Sequence, residues 1–309
     1  MQKVLILGSK GMLGQELVRI FSEDENYEVV EWDKDDVDVR KKGLLENAIV
    51  NEMPDIVFNA VAYNAVDACE ESEEEYEKAK VLNAVLPKNL AIFCKTIGAT
   101  FVHYSTDYVF DGKRPVYKGG ERNPRCCGEE CDDCMYKGPE EKLNYFSYHE
   151  DDECRPLSRY GRSKLMGEEN VEKHGKDYYI IRLSKLFGLP AGSSAGKKSF
   201  FDVMLELGKK NDKVQAVDGE TSKFTYAPDL ANMSKGIVEK NMDSGIYHVA
   251  NEGAVTWYEG VVELYKIAGL DTRIESVPPE TFPRPAERPN LSVLKVTKIA
   301  PLRHYRDAL

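Results

Sequence analysis

A glycine-rich turn after the first apolar run constrains the fold of this chain more than any other feature. The run KVLIL leads into Gly8, Gly11 and Gly14, spaced as GxxGxxG, and residues 12–22 continue with a helical pattern. Glycines here let the backbone approach a pyrophosphate, and the helix start presents oriented N–H groups to the anion. A tight strand-to-helix turn without a ligand is the plainer interpretation. The position at the first strand favours dinucleotide binding.

The rest of the chain alternates between strand and helix patterns. Strands are predicted at residues 4–7, 29–32, 56–59, 100–103, 178–183 and 246–250. Helices are predicted at residues 12–22, 44–51, 73–97, 158–173, 200–209, 228–240 and 256–268. Apolar strands that alternate with helices predict an α/β fold, a doubly wound Rossmann sheet with parallel strands.

Two domains are expected. Residues 1–184 would form the NAD(P)-binding Rossmann domain, interrupted by a cysteine-rich insertion at 113–156 that lacks periodicity. Residues 185–309 would form a smaller α/β substrate-binding subdomain, part of which returns to the Rossmann sheet. The proline-rich residues 278–289 should be irregular.

Composition excludes several classes of partner. The 309 residues, 42% of them hydrophobic, suffice for a substantial core, and the net charge of −11 disfavours nucleic acids and anionic membranes. No signal peptide precedes the first strand, and no run reaches the roughly 18 apolar residues of a membrane helix. A cytoplasmic location follows as an expectation. Whether the chain is a monomer or a homodimer stays open.

Two positions bear on the choice of cofactor. Asp33 ends the second predicted strand, about 20 residues after the glycines, where an acidic residue commonly binds the ribose hydroxyls of NAD. Lys34, beside it, could instead meet a 2′-phosphate. The sequence therefore predicts NADH or NADPH without choosing between them.

A tyrosine and a lysine four residues apart predict a catalytic pair. Tyr160 and Lys164 begin a predicted helix and share one face of it. An adjacent ammonium would lower the pKa of the phenol from about 10, so that Tyr160 could give a proton to a carbonyl oxygen as hydride arrives at its carbon. Ser105 and Thr106 end the fourth strand, where a hydroxyl could polarise the same carbonyl.

Motifs along most of the chain resemble a known family. They read GSKGMLGQEL, NAVAY, STDYVFDG, YGRSKLMGE, GIYHVANEG and RPNLSVL. Together they are similar to the dTDP-4-dehydrorhamnose reductase family, a sugar-nucleotide branch of the extended short-chain dehydrogenases. The resemblance implies reduction at C4 of a nucleotide-linked 4-keto-6-deoxy sugar, with the nucleotide sugar as the binding partner.

The resemblance also implies roles for individual residues. Thr106, Tyr160 and Lys164 would be catalytic, and Tyr160 and Lys164 would also meet the cofactor. The pyrophosphate would lie on Gly8, Gly11, Met12, Leu13 and Gly14. The remaining cofactor contacts would come from Asp33, Asp38, Val39, Ala60, Val61, Ala62 and Asn83.

Two lysines depart from the family pattern. Lys185 stands where the family usually has a tryptophan after Thr-Ser, and Lys223 lies where a Gly-x-Pro-Thr stretch is usual. Both would face the substrate, with Ser105, and could bind phosphates or a carboxylate. Two solvated surface lysines are the alternative.

The insertion predicts a structural zinc ion. Its thiols are those of Cys126, Cys127, Cys131, Cys134 and Cys154, with His149 as a substitute ligand. A polar segment with few large apolar residues gains order from a thiolate-bound Zn²⁺. An iron–sulfur arrangement and unliganded or disulfide-bonded thiols are alternatives.

Two other functions remain open at this point. Some relatives of such reductases have become non-catalytic regulatory subunits of another enzyme. A sugar-nucleotide epimerase or dehydratase with retained NAD would use the same fold.

Overall fold

The computed structural model describes residues 1–113, 147–192 and 198–309 of the chain. Its strands are β1 (Gln2–Leu7), β2 (Tyr27–Trp32), β3 (Ile56–Asn59), β4 (Thr100–Thr106), β5 (Tyr178–Leu183), β6 (Leu186–Phe187), β7 (Lys213–Val217), β8 (Ser222–Lys223), β9 (Thr225–Tyr226), β10 (Gly245–His248), β11 (Asn251–Glu252), β12 (Ala254–Val255), β13 (Arg273–Val277) and β14 (Leu302–His304). Its α-helices are α1 (Met12–Ser22), α2 (Lys42–Glu52), α3 (Ala68–Glu71), α4 (Glu73–Lys80), α5 (Leu86–Ile97), α6 (Arg159–His174), α7 (Phe200–Lys210), α8 (Ala227–Glu239) and α9 (Trp257–Ala268).

The centre of the fold is a six-stranded parallel sheet in the order β2-β1-β3-β4-β5-β10. One face of the sheet packs on α1 and α8 through residues such as Leu17 and Leu230. The other face packs on α2, α5 and α6 through residues such as Leu90 and Val171. Helices on both faces confirm the predicted doubly wound Rossmann fold.

The second half of the chain contributes to the main sheet and also builds a smaller unit beside it. Strand β10 pairs with β5, and α8 packs against α1. Beside the sheet, α7 and α9 enclose an aromatic core that includes Phe187, Phe201 and Phe224. The boundary at residue 184 and the substrate-binding role of this unit remain predictions.

Several features differ from the pattern read in the sequence. The helix predicted over residues 73–97 is divided, because a π-helical turn at Val81–Val85 separates α4 from α5. The parallel pair β7 and β13, the six strands of two or three residues and the short helix α3 were not predicted. Among the residues described, no helix combines the length and the apolar character that crossing a bilayer requires.

Candidate active site

A cavity of about 940 Å³ opens at the carboxyl ends of the central strands. Strands β1 and β3 are neighbours in the sheet, while the chain between them leaves to form β2 on the other side of β1. Such a switch point leaves a crevice outside the strand ends, where α/β proteins bind ligands. The lining includes Gly8 after β1, Ala60 after β3 and Thr106 at the end of β4.

Most residues predicted for the site lie around this one cavity. Those that line it are Gly8, Gly11, Met12, Leu13, Gly14, Asp33, Asp38, Val39, Ala60, Val61, Ala62, Ser105, Thr106, Tyr160, Lys164 and Lys185. They come from the segments after β1, β2, β3 and β5, from the end of β4 and from the helices α1 and α6. Sequence motifs that lie far apart are thus brought together at one surface.

The glycine turn is too compact for side chains. Gly8 has φ +78°, and a Cβ there would lie 3.1 Å from the backbone of Ala60 and Val61. A Cβ on Gly14 would come within 2.0 Å of the Gly8 carbonyl oxygen. Gly11 is the N-cap of α1 and provides no side-chain cap. The first N–H groups of the helix therefore keep their capacity to bind an anion.

The two acidic residues predicted to hold the adenosine half already have partners. Asp33 accepts hydrogen bonds from the backbone N–H groups of Lys10 (3.1 Å) and Lys34 (2.8 Å), which fixes the end of β2 to the glycine turn. Asp38 forms a paired contact with the Arg40 guanidinium, which lowers the pKa of the carboxyl to about 2. Carboxylates have lone pairs left for ribose hydroxyls after such contacts.

The Tyr160 phenol lies at the inner end of the cavity. Its side chain is 8% exposed, and its hydroxyl donates to Asn64 Oδ1 over 3.4 Å. Thr106 at the end of β4 is 9% exposed and lines the same space. Ser158 caps α6 by accepting from the Gly161 N–H, and this cap sets the start of the helix that carries Tyr160.

The expected lowering of the Tyr160 pKa by Lys164 is wrong for this structure. Burial raises the pKa of Tyr160 above its ordinary value, the Asp107 carboxylate acts in the same direction, and a hydrogen bond with Thr106 opposes them. Desolvation is the largest of these influences, and the Lys164 ammonium donates to the Tyr104 carbonyl oxygen at 2.5 Å. Tyr160 therefore carries its proton at neutral pH.

Lys164 is itself perturbed by burial. The side chain is 3% exposed, and desolvation lowers the pKa of its ammonium to about 8, with Glu168 opposing. The neighbouring His103 is buried as well. Its burial lowers the pKa of the imidazole, and the positive charge of Lys164 lowers it further. A neutral His103 adds no second positive charge beside Lys164.

Asp107, which the sequence analysis did not single out, completes the inner wall. It accepts hydrogen bonds from Ser292 Oγ (2.5 Å) and Thr106 Oγ1 (3.2 Å). Burial raises the pKa of its carboxyl to about 6, and Ser292, Lys185 and Thr106 oppose the shift. Asp107 stands inside the STDYVFDG motif, so its position next to Thr106 was the signal that could have identified it.

The two lysines that depart from the family pattern have different surroundings. Lys185 lines the cavity, and its ammonium lies 4.1 Å from the centre of the Trp257 ring. Lys223 is 5% exposed and pairs with Glu252 at 2.7 Å, outside the cavity lining. The alternative of two solvated surface lysines is therefore wrong for Lys223 and does not describe Lys185.

Asn83 also lies outside the cavity lining. Its amide oxygen accepts from the Tyr63 N–H at 2.8 Å, and its amide nitrogen donates to the Tyr63 carbonyl (3.0 Å) and to Ser163 Oγ (2.9 Å). The residue is fully buried on the π-helical turn. Its observed contacts hold the wall behind residues 60–63 and do not reach into the cavity.

Most of the proposed zinc ligands cannot be placed. Cys126, Cys127, Cys131 and Cys134 lie outside the described residues. Cys154 is partly buried, and its sulfur accepts a hydrogen bond from Arg182 Nη2 at 3.1 Å. Over residues 1–113, 147–192 and 198–309, no group of three or more potential ligands is suited to a metal ion. The zinc site stays a prediction.

The fold and the cavity together define a short-chain dehydrogenase/reductase. The family model described as RmlD substrate binding domain matches residues 1–309. The chain therefore belongs to the RmlD substrate binding domain family.

Individual relatives extend over nearly the whole chain. The spore coat polysaccharide biosynthesis protein SpsK of Bacillus subtilis is 33% identical over 313 aligned residues, which cover 100% of this chain and 96% of SpsK. A crystal structure of a dTDP-4-dehydrorhamnose reductase from Clostridium acetobutylicum is 31% identical with a TM-score of 0.81, covering 99% of this chain and 96% of that one. The Bacillus anthracis dTDP-4-dehydrorhamnose reductase, in complex with NADP, is 26% identical with a TM-score of 0.83 and the same coverage.

Proposed function

We propose that this protein is an NAD(P)H-dependent reductase that converts the 4-keto group of a dTDP-linked 6-deoxy sugar to an alcohol. The observation that carries the proposal is that Thr106, Tyr160 and Lys164 line the same cavity as the glycine turn. A cofactor held at the turn and a carbonyl held at Tyr160 would then share one space. The similarity to dTDP-4-dehydrorhamnose reductases supports the same reaction, and the similarity to the spore coat polysaccharide biosynthesis protein SpsK supports a role in polysaccharide biosynthesis.

The residues present fit a nicotinamide dinucleotide. The uncapped start of α1 offers N–H groups to a pyrophosphate, and Gly8 and Gly14 leave no side chain in the way. Asp33, Lys34 and Arg40 line the cavity near the end of β2. One acidic and two basic side chains there are compatible with either NADH or NADPH. When bound, the reduced nicotinamide supplies the hydride for the reaction.

The chain's own residues would handle the proton and the carbonyl oxygen. Burial keeps Tyr160 protonated, so its hydroxyl can give a proton to the oxygen that becomes the C4 hydroxyl. The Thr106 hydroxyl has one hydrogen, which it donates to Asp107 in this structure; turned to the same oxygen, it would stabilise the charge that develops there. The Lys164 ammonium, fixed on the Tyr104 carbonyl, would contact the cofactor ribose.

Two alternative functions remain as competitors. A non-catalytic regulatory subunit has no need for the three side chains around one cavity, so the observed arrangement favours an enzyme. An epimerase or dehydratase would retain its NAD through turnover, whereas a reductase exchanges its cofactor in every cycle. The proposal includes the cytoplasmic location expected from the sequence; the oligomeric state and the place of any metal form no part of it.

The test is an assay of the purified chain with NADPH or NADH and dTDP-4-dehydrorhamnose. We expect the nicotinamide to be oxidised in a one-to-one ratio with formation of a dTDP-linked 6-deoxyhexose. A protein that binds the cofactor but leaves this substrate unchanged would favour the regulatory alternative. NAD that remains bound through purification, together with an epimerised or dehydrated product, would favour an epimerase or dehydratase.

A further inference from the structure

Lys185, two residues after the end of β5, has an unusual backbone conformation. It follows β5 and Ser184, and its φ of 41° lies in the left-handed region that residues with a side chain rarely adopt. A non-glycine residue persists in this region only where its surroundings hold it there, and such residues are frequent at ligand sites.

Two segments, residues 220–224 and 255–257, surround the Lys185 ammonium. It lies 4.1 Å from the centre of the Trp257 ring and 5.1 Å from that of Phe224. It donates hydrogen bonds to the carbonyl oxygens of Glu220 (3.2 Å) and Val255 (3.4 Å). Aromatic faces and carbonyl dipoles attract a cation, but they do not neutralise its charge.

The nearby carboxylates have other hydrogen-bonding partners. Glu220 pairs with Arg284 and accepts from the Trp257 indole N–H at 3.0 Å. Asp107 accepts from Ser292 and Thr106. An ammonium has three N–H donors, and within the described residues Lys185 uses two of them for its long hydrogen bonds to carbonyl oxygens, so one N–H remains for a ligand. A desolvated ammonium with an unused N–H donor favours the binding of an anion.

The position of Lys185 assigns it to the substrate half of the cavity. Its charge acts on Asp107, and Asp107 is hydrogen-bonded to Thr106 beside the phenol of Tyr160. The glycine turn after β1 is at a different strand end. An anion that meets Lys185 would therefore belong to the molecule whose carbonyl lies at Tyr160.

We propose that Lys185 binds an anionic oxygen of the nucleotide sugar and so selects the substrate. The oxygen belongs to the diphosphate, because a 6-deoxy sugar has a methyl group where a uronic acid has its carboxylate; a carboxylate as the source is an outcome of the experiment. The inference rests on the proposed function and extends it by naming the residue that recognises the substrate and the chemistry of its ligand.

The experiment compares Lys185→Met with the wild type in calorimetric titrations. The ligands are dTDP, dTDP-glucose and UDP-glucuronic acid, each added to protein saturated with NADPH. Lys185→Arg retains the charge, and Lys235→Met removes a different partly buried ammonium, one that pairs with Asp24 away from the cavity. Thermal melting and NADPH affinity of every variant report on folding. If Lys185→Met does not fold, Lys185→Gln takes its place.

A contact between an ammonium and an anionic oxygen predicts that Lys185→Met weakens binding by about 10- to 100-fold while NADPH affinity is retained. Lys185→Arg should recover part of the loss, and Lys235→Met should behave as the wild type. A loss for all three ligands identifies the diphosphate, whereas a loss for UDP-glucuronic acid alone would assign Lys185 to a ring carboxylate, which a 6-deoxy sugar lacks, and would overturn the inference. Unchanged affinity of Lys185→Met for all three ligands would overturn the inference while leaving the proposed function intact. A wild type that binds NADPH but none of the three would overturn both.

Discussion

The side-chain amide of Asn83 donates a hydrogen bond of 2.9 Å to the hydroxyl of Ser163. Ser163 precedes Lys164 on α6, while Asn83 belongs to the π-helical turn between α4 and α5. The same amide binds both backbone polar groups of Tyr63, which follows the cavity-lining residues 60–62. One buried side chain thus fixes the spacing between the wall of the proposed cofactor site and the helix that carries Tyr160 and Lys164.

Replacing Asn83 with alanine should therefore impair both stability and catalysis. The change leaves the buried polar groups of Tyr63 without their partner, at a cost of about 1–3 kcal/mol in the free energy of unfolding. Turnover should fall because α6 loses a positioning contact. Denaturant unfolding and steady-state kinetics measure the two effects. Asn170→Ala, which removes a bond to the Ala84 carbonyl from the same helix, is the control and should affect turnover less. Equal effects of the two variants would contradict the positioning role.

The glycine turn predicts a sharp contrast between two glycine-to-alanine changes. A Cβ at Gly14 would meet the Gly8 carbonyl oxygen at 2.0 Å, so Gly14→Ala must displace the turn. We expect a loss of about 1–3 kcal/mol in stability and a large loss of NADPH affinity.

Gly43, within α2, provides the control, because nothing lies within 4 Å of a Cβ built on it. Gly43→Ala should leave NADPH affinity unchanged and stabilise the helix by up to about 1 kcal/mol. Titration with NADPH and thermal melting check both; normal cofactor affinity in Gly14→Ala would contradict the assignment of the turn.

Removal of the Tyr160 hydroxyl should affect chemistry more than binding. Tyr160→Phe deletes the proposed proton donor, and we expect turnover to fall by about 100- to 10,000-fold while NADPH affinity is nearly unchanged. Lys164→Met should reduce both quantities, because Lys164 is also proposed to contact the cofactor ribose. The measurement is turnover together with NADPH affinity for each variant. Wild-type turnover in Tyr160→Phe would exclude the tyrosine mechanism.

Binding of the nucleotide sugar should weaken as the pH rises above about 7. Burial lowers the pKa of Lys185 to about 7, and the charges of Asp107, Glu220 and Glu259 oppose this shift. A bound anion favours the ammonium form, so the pKa of Lys185 is higher in the complex than in the free protein. At a pH between the pKa of Lys185 in the free protein and its higher pKa in the complex, binding requires the uptake of a proton. In that range the dissociation constant should rise by up to about tenfold per pH unit.

Lys185→Met provides the control for this pH dependence. Lys164, with a pKa of about 8, titrates in the same range and is present in both proteins. The difference between wild type and variant therefore isolates Lys185. The account predicts a steeper rise of the dissociation constant in the wild type, and identical slopes would contradict it.

The sequence predicted those features that depend on the spacing of residues within one segment of the chain. The turn around Gly8 and the strand-end position of Thr106 follow from local spacing and from the geometry of parallel strands, and residues from both line the cavity. The pair β7 and β13 was missed because charged and polar side chains interrupt the apolar residues of both strands, whose sequences are KVQAV and RIESV. Predicted strands of four residues were found where the apolar run was continuous.

Properties that depend on tertiary packing could not be predicted in the same way. The pKa of Tyr160 is set by burial that only the assembled cavity creates, so the argument from its spacing to Lys164 gave the wrong direction. The contacts of Asn83 and of Lys223 depend on partners at residues 163 and 252, distant in sequence. Sequence spacing places a residue on an element, whereas packing decides what its side chain contacts.

The most direct test of the proposed reaction follows the hydride itself. NADPH that carries deuterium at the transferable position of the nicotinamide is incubated with the protein and dTDP-4-dehydrorhamnose, and the sugar product is analysed by mass spectrometry and NMR. The account predicts one deuterium in the product, bonded to C4, and at least about 100-fold less deuterated product when Tyr160→Phe replaces the wild type over the same time. A product without deuterium at C4, or full deuterium transfer by Tyr160→Phe at the wild-type rate, would contradict it.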